Sequence, residues 1–122
     1  GFEWLVPDDN HNNVVVFLRR DRKGRELIAA VNFSPVAQGD YRFGVPPKKT
    51  YREVFSTDLP EYGGTGDWRN EKSVEVLPIP SHGREQSLCV KLPPLGAAFF
   101  AGEGTWETKE ASIPPDASTP DN

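Results

Sequence analysis

Methionine is absent from all 122 residues, the first position included. A chain that opens on Gly1 is therefore expected to be a piece of a longer polypeptide or a processed product. There is a single cysteine, Cys89, which excludes an internal disulfide and points to a reducing, cytoplasmic setting. One cysteine with two distant histidines, His11 and His82, leaves no zinc set and no recognisable Cys/His nucleophile pair. Cys89, inside an apolar stretch, reads instead as a small packing residue. Long apolar runs are missing too: none approaches the roughly 18 residues of a membrane span, and no secretory leader pattern is present. No window holds a helical apolar stripe for more than a turn or two. An excess of basic charge is also lacking. The formal net charge is −4, and Glu107, Glu110, Asp116 and Asp121 face only Lys109, so three of those four charges lie beyond Gly104. The body is near neutral, which argues against nucleic acid as a partner; nothing argues for a membrane.

Twelve prolines, eleven glycines and short apolar runs are what remain, and they read as β structure in one domain. Val14 to Arg19 is a first strand, apolar on both faces. Lys23-Gly24 turns it into "ELIAAVNF", which puts Leu27, Ala29, Val31 and Phe33 on one face. "YRFGV", "YREVFST", "SVEVLPI", "SLCVKL" and "GAAFFA" complete the set. Seven short strands with a turn signal about every 8 to 12 residues predict a seven-stranded antiparallel β-sandwich with Greek-key connections over residues 1–103. The Pro/Ser/Thr-rich acidic tail, 104–122, holds one aliphatic residue larger than Ala, Ile113, and is expected to be disordered, Trp106 being its one candidate contact.

The stretch "DLPEYGGTGDWRN", 58–70, packs three glycines between Tyr62 and Trp68. A phosphate loop would place Lys and then Ser or Thr after its glycines and open a helix; here Asp67 and Trp68 follow Gly66, and an acid there repels phosphate. In "PDDNHNN", Asp8, Asn10 and Asn12 mimic calcium-loop ligands. Asn13 replaces the turn glycine, however, and Arg19 stands where the bidentate Glu belongs, so a polar loop is the better reading. The basic run Arg19, Arg20, Arg22, Lys23 and Arg25, broken by Asp21 and closed by Glu26, reads as a solvated hairpin tip. Asn32 in "NFS" matches a glycosylation acceptor but ends an apolar strand, and the triplet is followed by Pro35. No acid pair stands out for hydrolysis, and no catalytic residue, metal ligand or cofactor site is predicted. Tyr62 and Trp68, beside Asp67, Arg69 and Asn70, suit either stacking on a sugar ring or packing on another domain.

The segments "GFEWL", "NNVVVFLRR", "VNFSPV", "YRFGVP", "YREVFSTD", "YGGTG", "HGR" and "LPPLGA" occur in the order and spacing of a known domain. From Phe2 to Ala101 the chain resembles the C-terminal all-β domain of bacterial glycogen branching enzymes, 1,4-α-glucan branching enzymes of the α-amylase superfamily. It departs from that pattern at Trp4-Leu5-Val6, at Ser56-Thr57-Asp58 and at Ser81, where the family commonly has Trp-Ile-Asp, Asn-Ser-Asp and Trp. The resemblance implies a parent glycosyltransferase of glycogen biosynthesis that cleaves an α-1,4 linkage, holds the glucan on a barrel aspartate and transfers it to a 6-hydroxyl. The catalytic acids would belong to a (β/α)8 barrel of about 250 residues, which is not in this sequence. It further implies a non-catalytic domain that supports the barrel and assists with α-glucan. Phe2, Trp4, Tyr62 and Trp68 would form the interdomain patch, sticky when uncovered, with Tyr62 and Trp68 also candidate substrate contacts. The competing readings are a free-standing α-glucan-binding module and the matching domain of a trehalohydrolase or debranching enzyme.

Overall fold

The computed structural model describes residues 1–9 and 12–105. Asn10 and His11 of the polar loop, and the tail from 106 onward with Trp106 and Ile113, lie outside the described residues. Eight strands are present among those described: β1 Phe2–Asp9, β2 Val14–Arg20, β3 Glu26–Asn32, β4 Gln38–Gly44, β5 Thr50–Ser56, β6 Val74–Glu75, β7 Ser87–Leu92 and β8 Gly96–Glu103. All pairings are antiparallel. Six strands form one sheet in the order β1-β2-β3-β8-β5-β6, and β4 pairs with β7 in a second. The chain leaves the large sheet after β3, returns for β5, leaves again for β7 and re-enters as β8 between β3 and β5. Those crossings set non-consecutive strands side by side, as a Greek-key sandwich requires.

Alternation decides which side chains meet between the layers. Val14, Val16 and Leu18 of β2, Ile28 and Ala30 of β3, Ala98 and Phe100 of β8 and Tyr51 of β5 point inward. Tyr41, Phe43, Leu88, Val90 and Leu92 of the small sheet meet them there, and Val45 and Val76 fill the ends. These apolar side chains are buried almost completely, and each one larger than Ala stabilises the fold by roughly 1.5–3 kcal/mol.

Two segments differ from the sequence-based expectation. The opening residues form a full edge strand, β1, that runs through Asp9, so the polar loop is shorter than predicted. Its register slips between Trp4 and Val6, which turns both Leu5 and Val6 inward and hides the alternation; Pro7 is tolerated because the strand is an edge. "SVEVLPI" pairs with β5 only over Val74–Glu75, after which Leu77 bridges to Ser87 at the start of β7. Gly104 and Thr105, the described start of the tail, turn the chain away over Lys49, with Gly104 at φ +77°.

Candidate functional site

The large sheet is apolar on both sides. Opposite the core, the strand register lines up Trp4, Phe17, Ala29, Phe99 and Phe55 in one row across five strands. Phe2 stacks on Phe17 at 5.3 Å and meets Trp4 edge-on at 5.1 Å, while Trp4 also reaches the Phe17 ring at 6.0 Å. At the other end Phe55 meets Phe99 at 5.6 Å and carries the Tyr62 ring at 5.4 Å. Half-buried Val15, Val31, Ala97 and Leu27 extend the face on either side of the row. Phe2, Trp4 and Tyr62 remain 52%, 51% and 60% exposed and Phe17, Phe55 and Phe99 partly so, with Ala29 buried between them, so the rings have no full cover within the described residues.

Three of the four residues predicted for an interdomain patch therefore share one face, at its two ends. Trp68 stands apart: it is half-buried, and its ring passes 3.9 Å from where a side chain on Gly39 of β4 would begin. The residues that join the two ends, Phe17, Phe55 and Phe99, were missed by sequence reasoning. Their signal was the outward phase of strands apolar on both faces, which only the register turns into a row.

The glycine stretch is built around an internal anion. Asp58, 5% exposed, accepts from the amide of Thr65 at 3.1 Å and the Thr65 hydroxyl at 3.4 Å on Oδ1, and from the amide of Trp68 at 2.8 Å on Oδ2. Its carbonyl takes the Gly66 amide at 3.0 Å. A Cβ on Gly64 would collide with the Asp58 backbone, and Gly63 and Gly66 both sit at φ +86°. The amides that would cradle a phosphate are already occupied by a carboxylate, which is the physical reason the loop is glycine-rich.

A second carboxylate secures the rest of the stretch. Glu53 of β5 pairs with Arg69 and accepts from the backbone and side-chain nitrogens of Asn70, both at 3.0 Å. Asn70 in turn donates to the Lys91 carbonyl at 3.0 Å and accepts the Lys91 amide at 2.8 Å, so its amide group occupies the free edge of β7 as a strand would. An open groove of about 600 Å³ runs beside it, past Arg69, Glu71, Lys72 and Lys91.

The remaining candidates resolve into structural parts. Asp21 closes the basic hairpin by accepting from the Lys23 and Arg25 amides, both at 2.9 Å; the Arg25 amide above all, together with its guanidinium and the Lys23 amide, holds the Asp21 carboxyl below its usual range. Asn32 is buried and spent on the Val36 and Pro93 carbonyls and the Ser34 amide, which leaves no free amide for a glycan. His82 sits in an exposed turn at φ 49°, its Nδ1 3.0 Å from Ser81 Oγ. Cys89 is half-buried on the outer side of β7 opposite Arg42, and burial raises its thiol pKa, which disfavours a nucleophilic thiolate. Among the described residues no three His, Cys, Asp or Glu side chains converge on a metal position, and no helix is long and apolar enough to cross a membrane.

A family model described as alpha amylase, C-terminal all-beta domain, matches residues 4–103, the whole sandwich. The chain belongs to that family. It is a non-catalytic domain of an alpha-amylase family enzyme, associated in its parent with a catalytic barrel.

Proposed function

We propose that this chain is the C-terminal β domain of a cytoplasmic glycogen branching enzyme, and that it supports the parent's catalytic barrel instead of doing chemistry. The observation that carries the supporting role is the uncovered aromatic row on the outer face of the large sheet. Contiguous exposed apolar area of this kind marks an interaction site, and aromatics are enriched there. The branching assignment rests on the run of motifs from "GFEWL" to "LPPLGA". The parent polypeptide is expected to introduce α-1,6 branches into amylose, read by the fall in iodine absorbance, while the 122-residue chain alone introduces none. Release of trehalose or removal of branches by the parent would overturn the branching assignment and leave the supporting role standing.

Binding of α-glucan is a second reading, favoured by the exposed Tyr62 at the rim of an open groove with Thr65 and Pro94. Titration of the 122-residue chain with maltoheptaose tests it. A saturable signal at millimolar sugar that Tyr62→Ala abolishes supports a binding module, and a flat titration rejects one.

A further inference from the structure

Of the eight arginines of the sandwich, six have a defined internal partner. Arg20 pairs with Glu3 and Glu26, Arg25 with Asp21, Arg52 with Glu103, Arg69 with Glu53 and Arg84 with Glu3, while Arg42 donates to Ser87 Oγ at 2.7 Å. Arg19 differs. It is exposed, no carboxylate lies within ion-pair distance of it among the described residues, and it leaves β2 on the same side as Phe17, two residues before it. Its register partners are Phe2 on β1 and Leu27 on β3, both part of the apolar face.

An arginine flanked by Phe2, Phe17 and Leu27 is a poor arrangement for solvent alone. It is a good one for an interface, where arginine and aromatic rings together supply most of the binding energy. The guanidinium would be desolvated as a partner covers the neighbouring rings, and a desolvated charge is tolerated when a carboxylate meets it in a forked, charge-assisted pair. The domain's own acids nearby are committed: Glu3 and Glu26 to Arg20, Asp21 to the hairpin turn, Glu103 to Arg52. Among the described residues no free carboxylate is left to meet it.

We propose that Arg19 is the specificity-determining contact of the docking face, and that the surface covering the Trp4-to-Phe55 row is an apolar patch of the parent's catalytic body carrying an Asp or Glu opposite Arg19. This rests on the supporting role proposed above and names the chemistry of the partner at that face. A second copy of this domain fits less well, because its own row, Trp4, Phe17, Ala29, Phe99 and Phe55, carries no carboxylate to meet Arg19.

The test uses the 122-residue chain, the remainder of the parent made separately, and the intact parent. Binding of the chain to the remainder is measured by calorimetry at 50 and 500 mM salt. The expected result is an affinity that falls with salt, drops at least about tenfold for Arg19→Ala and further for Arg19→Glu, and is partly kept by Arg19→Lys. Thermal unfolding of the chain alone should be unchanged by the three substitutions, because Arg19 has no ion-pair partner among the described residues. Hydroxyl-radical footprinting of the intact parent should show Trp4, Phe17 and Tyr62 oxidised severalfold less than in the chain alone. Equal binding by wild type and Arg19→Glu would overturn the role of Arg19. Equal oxidation of Trp4 and Phe17 in parent and chain, or protection that instead follows self-association of the chain, would overturn the docking face itself. None of these readouts depends on whether the parent branches amylose.

Discussion

Tyr51 shows how one side chain can tie three strands together. Its ring is fully buried on the inner side of β5 and crosses β8 at Gly102, where a Cβ would come within 2.9 Å of the ring edge. Beyond β8 its hydroxyl donates to Glu26 Oε1 on β3 at 3.0 Å, and Arg20 holds the other carboxylate oxygen at 3.0 Å. Burial first, and then the Glu26 carboxylate, push the phenol well above its ordinary pKa of 10.0. Below that value both folded and unfolded chains keep the proton, and the stabilisation is complete. As pH rises past about 10 the unfolded tyrosine ionises while the folded one does not, so stability falls by up to about 1.4 kcal/mol per pH unit. Urea unfolding between pH 7 and 11 is expected to show Tyr51→Phe less stable than wild type by about 1 kcal/mol at neutral pH, with a shallower alkaline decline. Parallel declines would mean that Tyr51 is not the group responsible.

Elements were legible where alternation is clean and obscured where geometry interrupts it. The β2–β3 hairpin, β4, β5, β7 and β8 follow from their apolar phase and turn residues. The edge strand β1 does not, because its bulge buries two successive residues, Leu5 and Val6. The glycine stretch was correctly separated from a phosphate loop by Asp67, but its organising acids, Asp58 and Glu53, carry no local signature: each looks like an ordinary strand-end or strand carboxylate until the loop folds over it. That organisation gives the three glycines unequal weight. Gly63→Ala meets open space and suffers only the left-handed backbone, about 1 kcal/mol, whereas Gly64→Ala must push against the Asp58 backbone and is expected to cost about 3 kcal/mol or more. Asp58→Asn keeps the shape but weakens the charge-assisted bonds to Thr65 and Trp68, at about 1.5–3 kcal/mol. Chemical denaturation of the three variants gives the order directly, and equal midpoints for Gly63→Ala and Gly64→Ala would contradict the close packing of the loop on Asp58.

At the scale of the molecule, the sheet with two apolar faces is the feature that needs explaining. One face is covered by β4 and β7; the other ends in rings that are about half exposed. Composition hinted at this, since Val14 to Arg19 is apolar in both phases, yet the row itself depends on how β8 inserts between β3 and β5. Those pairings, across more than 60 residues to β3 and more than 40 to β5, are invisible to local pattern. An uncovered row binds whatever apolar surface is offered, so the 122-residue chain is expected to bind the dye ANS and to associate weakly as concentration rises. Trp4→Ser with Phe17→Ser removes rings from the face without opening the core, because Val16 and Leu18 on the opposite side keep their packing. Dye fluorescence and association should both fall in the double variant while far-UV dichroism stays that of a β protein. If the dye signal instead survives in the double variant and disappears with Phe33→Ser and Leu95→Ser, the exposed residues at the far end of β3 and β8, then the sticky surface is that end of the sandwich and not the row.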